Sequence, residues 1–175
     1  MVSHSDLSEF FFLVRQTSLQ SQLRAEQAFP QHGTTVCLLH SVAVAYYCSR
    51  IARALSALGF RRAELIRGAL LHDYFLYDWH DPDPSHRLHG FHHAARALAN
   101  AERDIPLTAV ERNIILRHMF PLTPIPPRYK ESILVCLVDK ACSLYEIFGR
   151  RTYPNRQIQT AMALISSCSP TPARK

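Results

Sequence analysis

The sequence predicts an all-α protein in one domain, and three observations carry that reading. Apolar residues recur at helical spacing through most of the 175 residues. Glycine is scarce, at five residues, and no two-residue turn signal separates alternating runs as a β-hairpin requires. Helix punctuation falls between the periodic segments, most clearly the capping box Thr108-Ala109-Val110-Glu111 and Gly59 just past a periodic run.

A first amphipathic helix is expected from about Asp6 to Phe29, ended by Pro30-Gln31-His32-Gly33. A second runs from about Thr35 to Leu58, with the stripe Val36, His40, Ala43, Val44, Tyr47, Ile51, Ala54, Leu55 and Leu58. A third, short and rich in Ala and Leu, covers about Arg62 to His72. Periodicity fails from Tyr74 to Gly90, where Asp78-Trp79-His80-Asp81-Pro82-Asp83-Pro84-Ser85 reads as a long loop. It resumes from His92 to Arg103, and the capping box opens the next helix, to about His118. The proline-rich turn Pro121 to Pro127 leads into a long apolar helix, about Arg128 to Phe148. A last helix, about Asn155 to Ser166, precedes a tail, Ser169 to Lys175, expected to fray. No repeat or interdomain linker interrupts residues 1–175, whose core is placed at about 36–147.

Composition narrows the function classes. Apolar residues make up 47% and charged residues 19%, so the chain is neither disordered nor membrane-like. The longest apolar stretches, Phe10 to Val14 and Ile133 to Val138, are too short to span a bilayer. The start Met1-Val2-Ser3-His4-Ser5-Asp6 lacks the features of a signal peptide, so a soluble cytoplasmic protein is expected. The five cysteines, Cys37, Cys48, Cys136, Cys142 and Cys168, form no CxxC pair and read as buried free thiols. The formal charge of +6 suits an anionic partner. The basic residues are scattered rather than striped, which disfavours nucleic acid and leaves a small phosphorylated compound.

Chemistry concentrates in the apolar segments. His72-Asp73 ends the run Ala69-Leu70-Leu71, His40 lies on the inner stripe of its helix, and His118 continues the stripe of Glu111, Ile114 and Ile115. Asp139 stands in Ile133-Leu134-Val135-Cys136-Leu137-Val138-Asp139, apolar on nearly every side. A carboxylate there needs a cation, several donors or a proton. An arginine salt bridge is the ordinary solution, and a lone core histidine is more often simply hydrogen-bonded. Neighbouring His and Asp point in different directions on a helix, so His72 and Asp73 meet one centre only where the helix ends. Together His40, His72, Asp73, His118 and Asp139 point to one shared divalent cation, with borderline-to-hard ligands suited to Mn, Fe, Co, Ni or Zn. His89, His92 and His93 lie near the long loop, and spacing does not decide among them. His80 and His86 are expected on the surface.

The order His40, His72-Asp73, Asp139 on successive helices resembles the HD superfamily of metal-dependent phosphohydrolases, over about Val36 to Ile147. The resemblance implies a helical bundle in which the first His, the HD pair and the last Asp hold a metal. It implies a second ion in members with added histidines, here His93 (with His92 or His89 as substitutes) and His118. Asp73 would then bridge two ions. Asp139-Lys140 is similar to the family's usual ending, which makes Lys140, with Asp73, a catalytic candidate. Arg117, Arg87 and Arg62 are further phosphate-clamping candidates. The implied reaction is hydrolysis of a small phosphate ester or nucleotide by a metal-activated water. Two other readings belong beside it, a di-iron oxygenase of the same superfamily and an inert metal- or nucleotide-binding sensor. Homo-oligomerisation is compatible with all three.

Overall fold

Among the described residues, which are 4–32, 35–82, 89–149 and 153–168, seven α-helices and one small β-pair form in this computed structural model. The helices are α1 (His4–Gln20), α2 (Cys37–Ala54), α3 (Arg62–Leu71), α4 (His89–Asp104), α5 (Ala109–Arg117), α6 (Lys130–Gly149) and α7 (Arg156–Ser167). The fold is all-α, as the periodicity implies. His86, Arg87 and the tail Ser169–Lys175 lie outside the described residues. No helix among the described residues is long and apolar enough to cross a membrane.

The expected stops hold where local chemistry dictates them. Gly59 takes the left-handed conformation, φ 60°, after the 3-10 turn Ser56–Leu58 that finishes α2. Thr108 and Glu111 close a reciprocal capping box on α5, and Asn155 accepts from Gln157 and Ile158 to start α7. The first helix is shorter than its periodicity suggested. Ser21 turns its hydroxyl back to Thr17 carbonyl, 2.8 Å, while accepting from the Leu23 amide, and the chain continues as a 3-10 helix, Leu23–Ala28. The second helix likewise starts later than Thr35. Strands β1 (Pro30–His32) and β2 (Thr35–Val36) pair antiparallel just before it. Strands this short carry too few positions to display alternation.

One apolar cluster joins Phe10 and Val14 of α1, Val42 and Ala45 of α2, Leu65 and Leu70 of α3, Ala97 of α4, Ile114 of α5, Val135 of α6 and Ile158 of α7. Helix α3 lies at its centre. Gly68 of α3 faces α5 so closely that a Cβ there would stand 2.6 Å from Ile114 Cδ1 and 3.1 Å from Ile114 Cβ. That approach brings the C-terminal ends of α3 and α5, with His72 and His118, to one place. A Gly68→Ala change gains about 1 kcal/mol of helix propensity but overpacks the contact by roughly 1–3 kcal/mol. We expect Gly68→Ala to unfold at lower denaturant, and trimming Ile114 to Ala in the same chain to recover part of that loss relative to additivity.

Candidate metal centre

Two helices end where the centre begins. His72 caps the C-terminus of α3 and His118 that of α5, both still with helical dihedrals. The last carbonyls of a helix lack intrahelical partners, and each histidine uses one. His72 Nδ1 donates to Ala69 carbonyl at 2.8 Å, and His118 Nδ1 to Ile115 carbonyl at 2.7 Å. With the proton fixed on Nδ1, each ring aims the lone pair of Nε2 inward. Because α3 stops at Leu71, the next residue is free of helical direction, and Asp73 turns to the same centre.

Asp73 occupies the middle. Its Oδ2 lies 3.5 Å from His72 Nε2 and 3.8 Å from His40 Nε2, and its Oδ1 lies 3.2 Å from His93 Nε2 and 3.3 Å from His118 Nε2. Asp139, from α6, sits 3.1 Å from His40 Nε2 and 3.7 Å from His72 Nε2. Ligand-type atoms thus gather in two groups, His40, His72 and Asp139 in one, Asp73, His93 and His118 in the other. All six side chains are buried. Of the three histidines left open by the sequence, His93 is drawn in, His92 is exposed, and the side chain of His89 lies outside the described residues.

The chemistry of this donor set fits a cation. Lone pairs face lone pairs, and both His72 Nε2 and Asp73 Oδ1 are buried without a hydrogen bond among the described residues. Such crowding of acceptors in a dry interior is costly until a positive charge enters between them. Burial drives His118 below its ordinary pKa, which favours the neutral ligand form. Burial also opposes ionisation of Asp73 and Asp139, but the surrounding imidazoles outweigh it and hold both carboxyls well below their usual range. His40 goes the other way. Burial disfavours its charge, yet hydrogen bonds to Asp139 and Glu146 raise it well above the ordinary histidine value.

Three residues that the sequence reading passed over are buried around the centre. Glu146 grips His40 Nδ1 with both oxygens, 2.9 and 3.1 Å, and accepts from Tyr153 hydroxyl at 2.7 Å. Its position two helical turns after Asp139, on the same face of an apolar helix, was a usable signal. Gln31, brought in by β1, donates its amide to Asp73 Oδ2 and accepts from the Cys37 thiol at 3.0 Å. Nothing in the sequence announces it, because the contact depends on how the β-pair folds back. Glu26 is fully buried and neither carboxylate oxygen makes a hydrogen bond among the described residues. Burial, then the nearby Asp73 charge, raise its pKa well above the usual value, and the adjacent Ser41 hydroxyl offsets this only partly.

The other candidates separate from the centre to different degrees. Lys140 Nζ donates to the carbonyls of His118, 2.8 Å, and Cys136, 3.3 Å, and stands 4.0 Å from Asp139 Oδ2. Arg62 is bound to Glu9 at 2.7 Å and Asp6 at 3.3 Å, so it ties α3 to α1 instead of facing the centre. Arg117 is half-buried, His80 is exposed, and all five cysteines are buried free thiols. Tyr74 is a buried strut from Asp104 to Gln22, and Trp79 donates to Pro30 carbonyl at 3.2 Å.

Helices carrying converging His and Asp pairs define a class, the helical domain built around a buried His/Asp metal centre. The HD domain family model matches residues 38–144, more than half of the chain, and the protein belongs to that family. Domains of this family bind divalent metals. No curated protein and no solved structure matches the chain.

Three outcomes follow. His40 holds a proton at neutral pH that a metal must displace, so affinity should rise with pH through the raised His40 pKa, with proton release seen by calorimetry in buffers of different ionisation enthalpy. Glu146→Gln should weaken metal binding by about 10–100-fold. In the metal-free protein, Glu26 stays protonated after the unfolded chain has ionised, so it costs stability increasingly as pH rises above about 4.3. Glu26→Gln should therefore melt higher than the parent at pH 8 and near it at pH 5, by scanning calorimetry.

Proposed function

We propose that this protein is a metal-dependent phosphohydrolase acting on a small phosphate ester, a nucleotide among the candidates. The observation that carries the reading is the placement of Asp73, with one oxygen toward His40 and His72 and the other toward His93 and His118. His40, His72, Asp73 and Asp139 would hold one divalent ion, and Asp73, His93 and His118 a second. When bound, such ions supply Lewis acidity toward a phosphoryl oxygen and acidify a water for attack on phosphorus. Mn, Fe, Co, Ni and Zn all suit the nitrogen–oxygen donor set.

The chain's own residues do the holding. Ala69 and Ile115 carbonyls keep the protons of His72 and His118 on Nδ1, and Glu146 orients His40. Gln31 fixes the rotation of Asp73 through Oδ2, so that its two oxygens point to opposite sides. Lys140, anchored on the His118 carbonyl, acts in this reading as a positioning residue for α5, with its ammonium adding positive potential beside Asp139. The net charge of +6 favours an anionic substrate.

The test is phosphate release from p-nitrophenyl phosphate, nucleoside monophosphates and cyclic nucleotides, with protein loaded with each metal in turn. Hydrolysis that tracks metal content supports the proposal. Full occupancy without turnover on any of them counts against it. The four imidazoles also suit iron, so substrate-dependent oxygen uptake by iron-loaded protein would transfer the assignment to a di-iron oxygenase. Metal occupancy with neither activity would leave a sensor. Asp73→Ala should lose metal from both groups and any hydrolysis with little change in helical circular dichroism. Retained stoichiometry in that variant would remove Asp73 from the ligand set.

A further inference from the structure

Helix α6 has two unlike faces. One carries Asp139 and Glu146 into the core. On the other, every exposed residue from 131 to 149 is apolar or aromatic: Ile133, Leu137, Ala141, Leu144, Tyr145, Ile147 and Phe148. Leu137 is 62% and Phe148 79% exposed, while Lys140, the basic residue within this stretch, is turned back onto the backbone carbonyls of His118 and Cys136. A surface helix of a soluble protein ordinarily presents charge outward. Here the polarity is inverted, with the acids turned inward and the apolar side chains outward.

We propose that this face is the interface of a symmetric homodimer in which α6 packs antiparallel on α6 of a second copy. Two observations commit the proposal to that occupant. The first is area. Six large side chains, 39–79% exposed on one helix face, form a contiguous apolar surface of the size that marks an interaction site, about 300–600 Å², and would supply most of the ~800 Å² that each partner gives a standard interface.

The second is self-complementarity. A two-fold interface must present the same patch twice in reversed order. The stripe reads Ile133, Leu137, Ala141, Leu144, Phe148, and it is nearly symmetric about a point between Lys140 and Ala141. Antiparallel pairing about that point sets Leu137 against Leu144 of the second copy and Ile133 against its Phe148. Small Ala141 falls beside the axis, where the helices approach most closely. Apart from Lys140, whose side chain is 39% exposed but whose Nζ is drawn back onto the His118 and Cys136 carbonyls, no charged side chain lies in the stripe. A recess of about 470 Å³, lined in part by Ala141, Tyr145 and Tyr153, continues the apolar surface at its edge. The proposal is independent of the reaction assigned above, since the metal-type residues lie on the other face of α6.

The experiment is sedimentation velocity of the full chain over a micromolar concentration series. The parent should sediment at twice its 20.0 kDa chain mass. Leu137→Glu with Leu144→Glu should give a monomer with unchanged circular dichroism and metal content, because acids would meet across the axis. Leu137→Glu with Leu144→Lys should restore the dimer, because each acid would meet a base of the other copy. Should the acidic variant fail to fold, Ala141→Cys decides instead. Mild oxidation should cross-link it into a covalent dimer, while Arg112→Cys, exposed on α5 away from the axis, gives no covalent dimer. A monomeric parent, an acidic variant that still dimerises, or no cross-link at residue 141 would each overturn the proposal. So would a monomer that binds phosphatidylcholine–phosphatidylserine vesicles through the same residues.

Discussion

Crowded lone pairs in a dry interior are the constraint on which this protein turns. Four imidazoles and two carboxylates, all buried, converge from α2, α3, α4, α5 and α6, and several point acceptor at acceptor. An arrangement of that kind opposes folding unless something positive is shared among its members. Without metal, protons take part of that role, which is why His40 holds its proton more tightly than an ordinary histidine. A divalent cation neutralises more charge per site and uses the lone pairs directly.

The backbone prepares this convergence. Helices α3 and α5 stop one residue short of their histidines, and the leftover carbonyls of Ala69 and Ile115 fix which ring nitrogen faces inward. The missing Cβ of Gly68 lets those two helix ends meet. Glu146 and Tyr153 tie His40 to the segment before α7, and Gln31 ties Asp73 to the β-pair. Four of the six ligand-type side chains, His40, His72, Asp73 and His118, thus have a partner behind them. Loss of any one support would loosen a single arm of the centre and leave the helices in place.

Helix α6 connects the interior to the surface. Its inner face supplies Asp139 and Glu146, and its outer face is apolar from end to end. A helix held on both sides has little freedom to slide or rotate. Pairing of two copies through it would stiffen the element that presents Asp139, without placing any residue of one copy in the other's centre.

The sequence by itself determined the helix class, most helix ends and the identity of the acidic and imidazole groups. Those depend on local spacing, on caps such as Thr108–Glu111 and on Gly59, and on the cost of placing His and Asp among apolar neighbours. It could not choose His93 over His92, since adjacent residues at a helix start differ only in the direction their side chains take once the helix is docked. It gave no sign of the β-pair or of Gln31, which are contacts between chain segments too short to carry a period. Glu26 was hidden inside a periodic stretch that ends earlier than its pattern. Only the tertiary structure decided that Asp73 stands between two histidine pairs, because that placement arises where separate helix ends are packed together, not from any one segment.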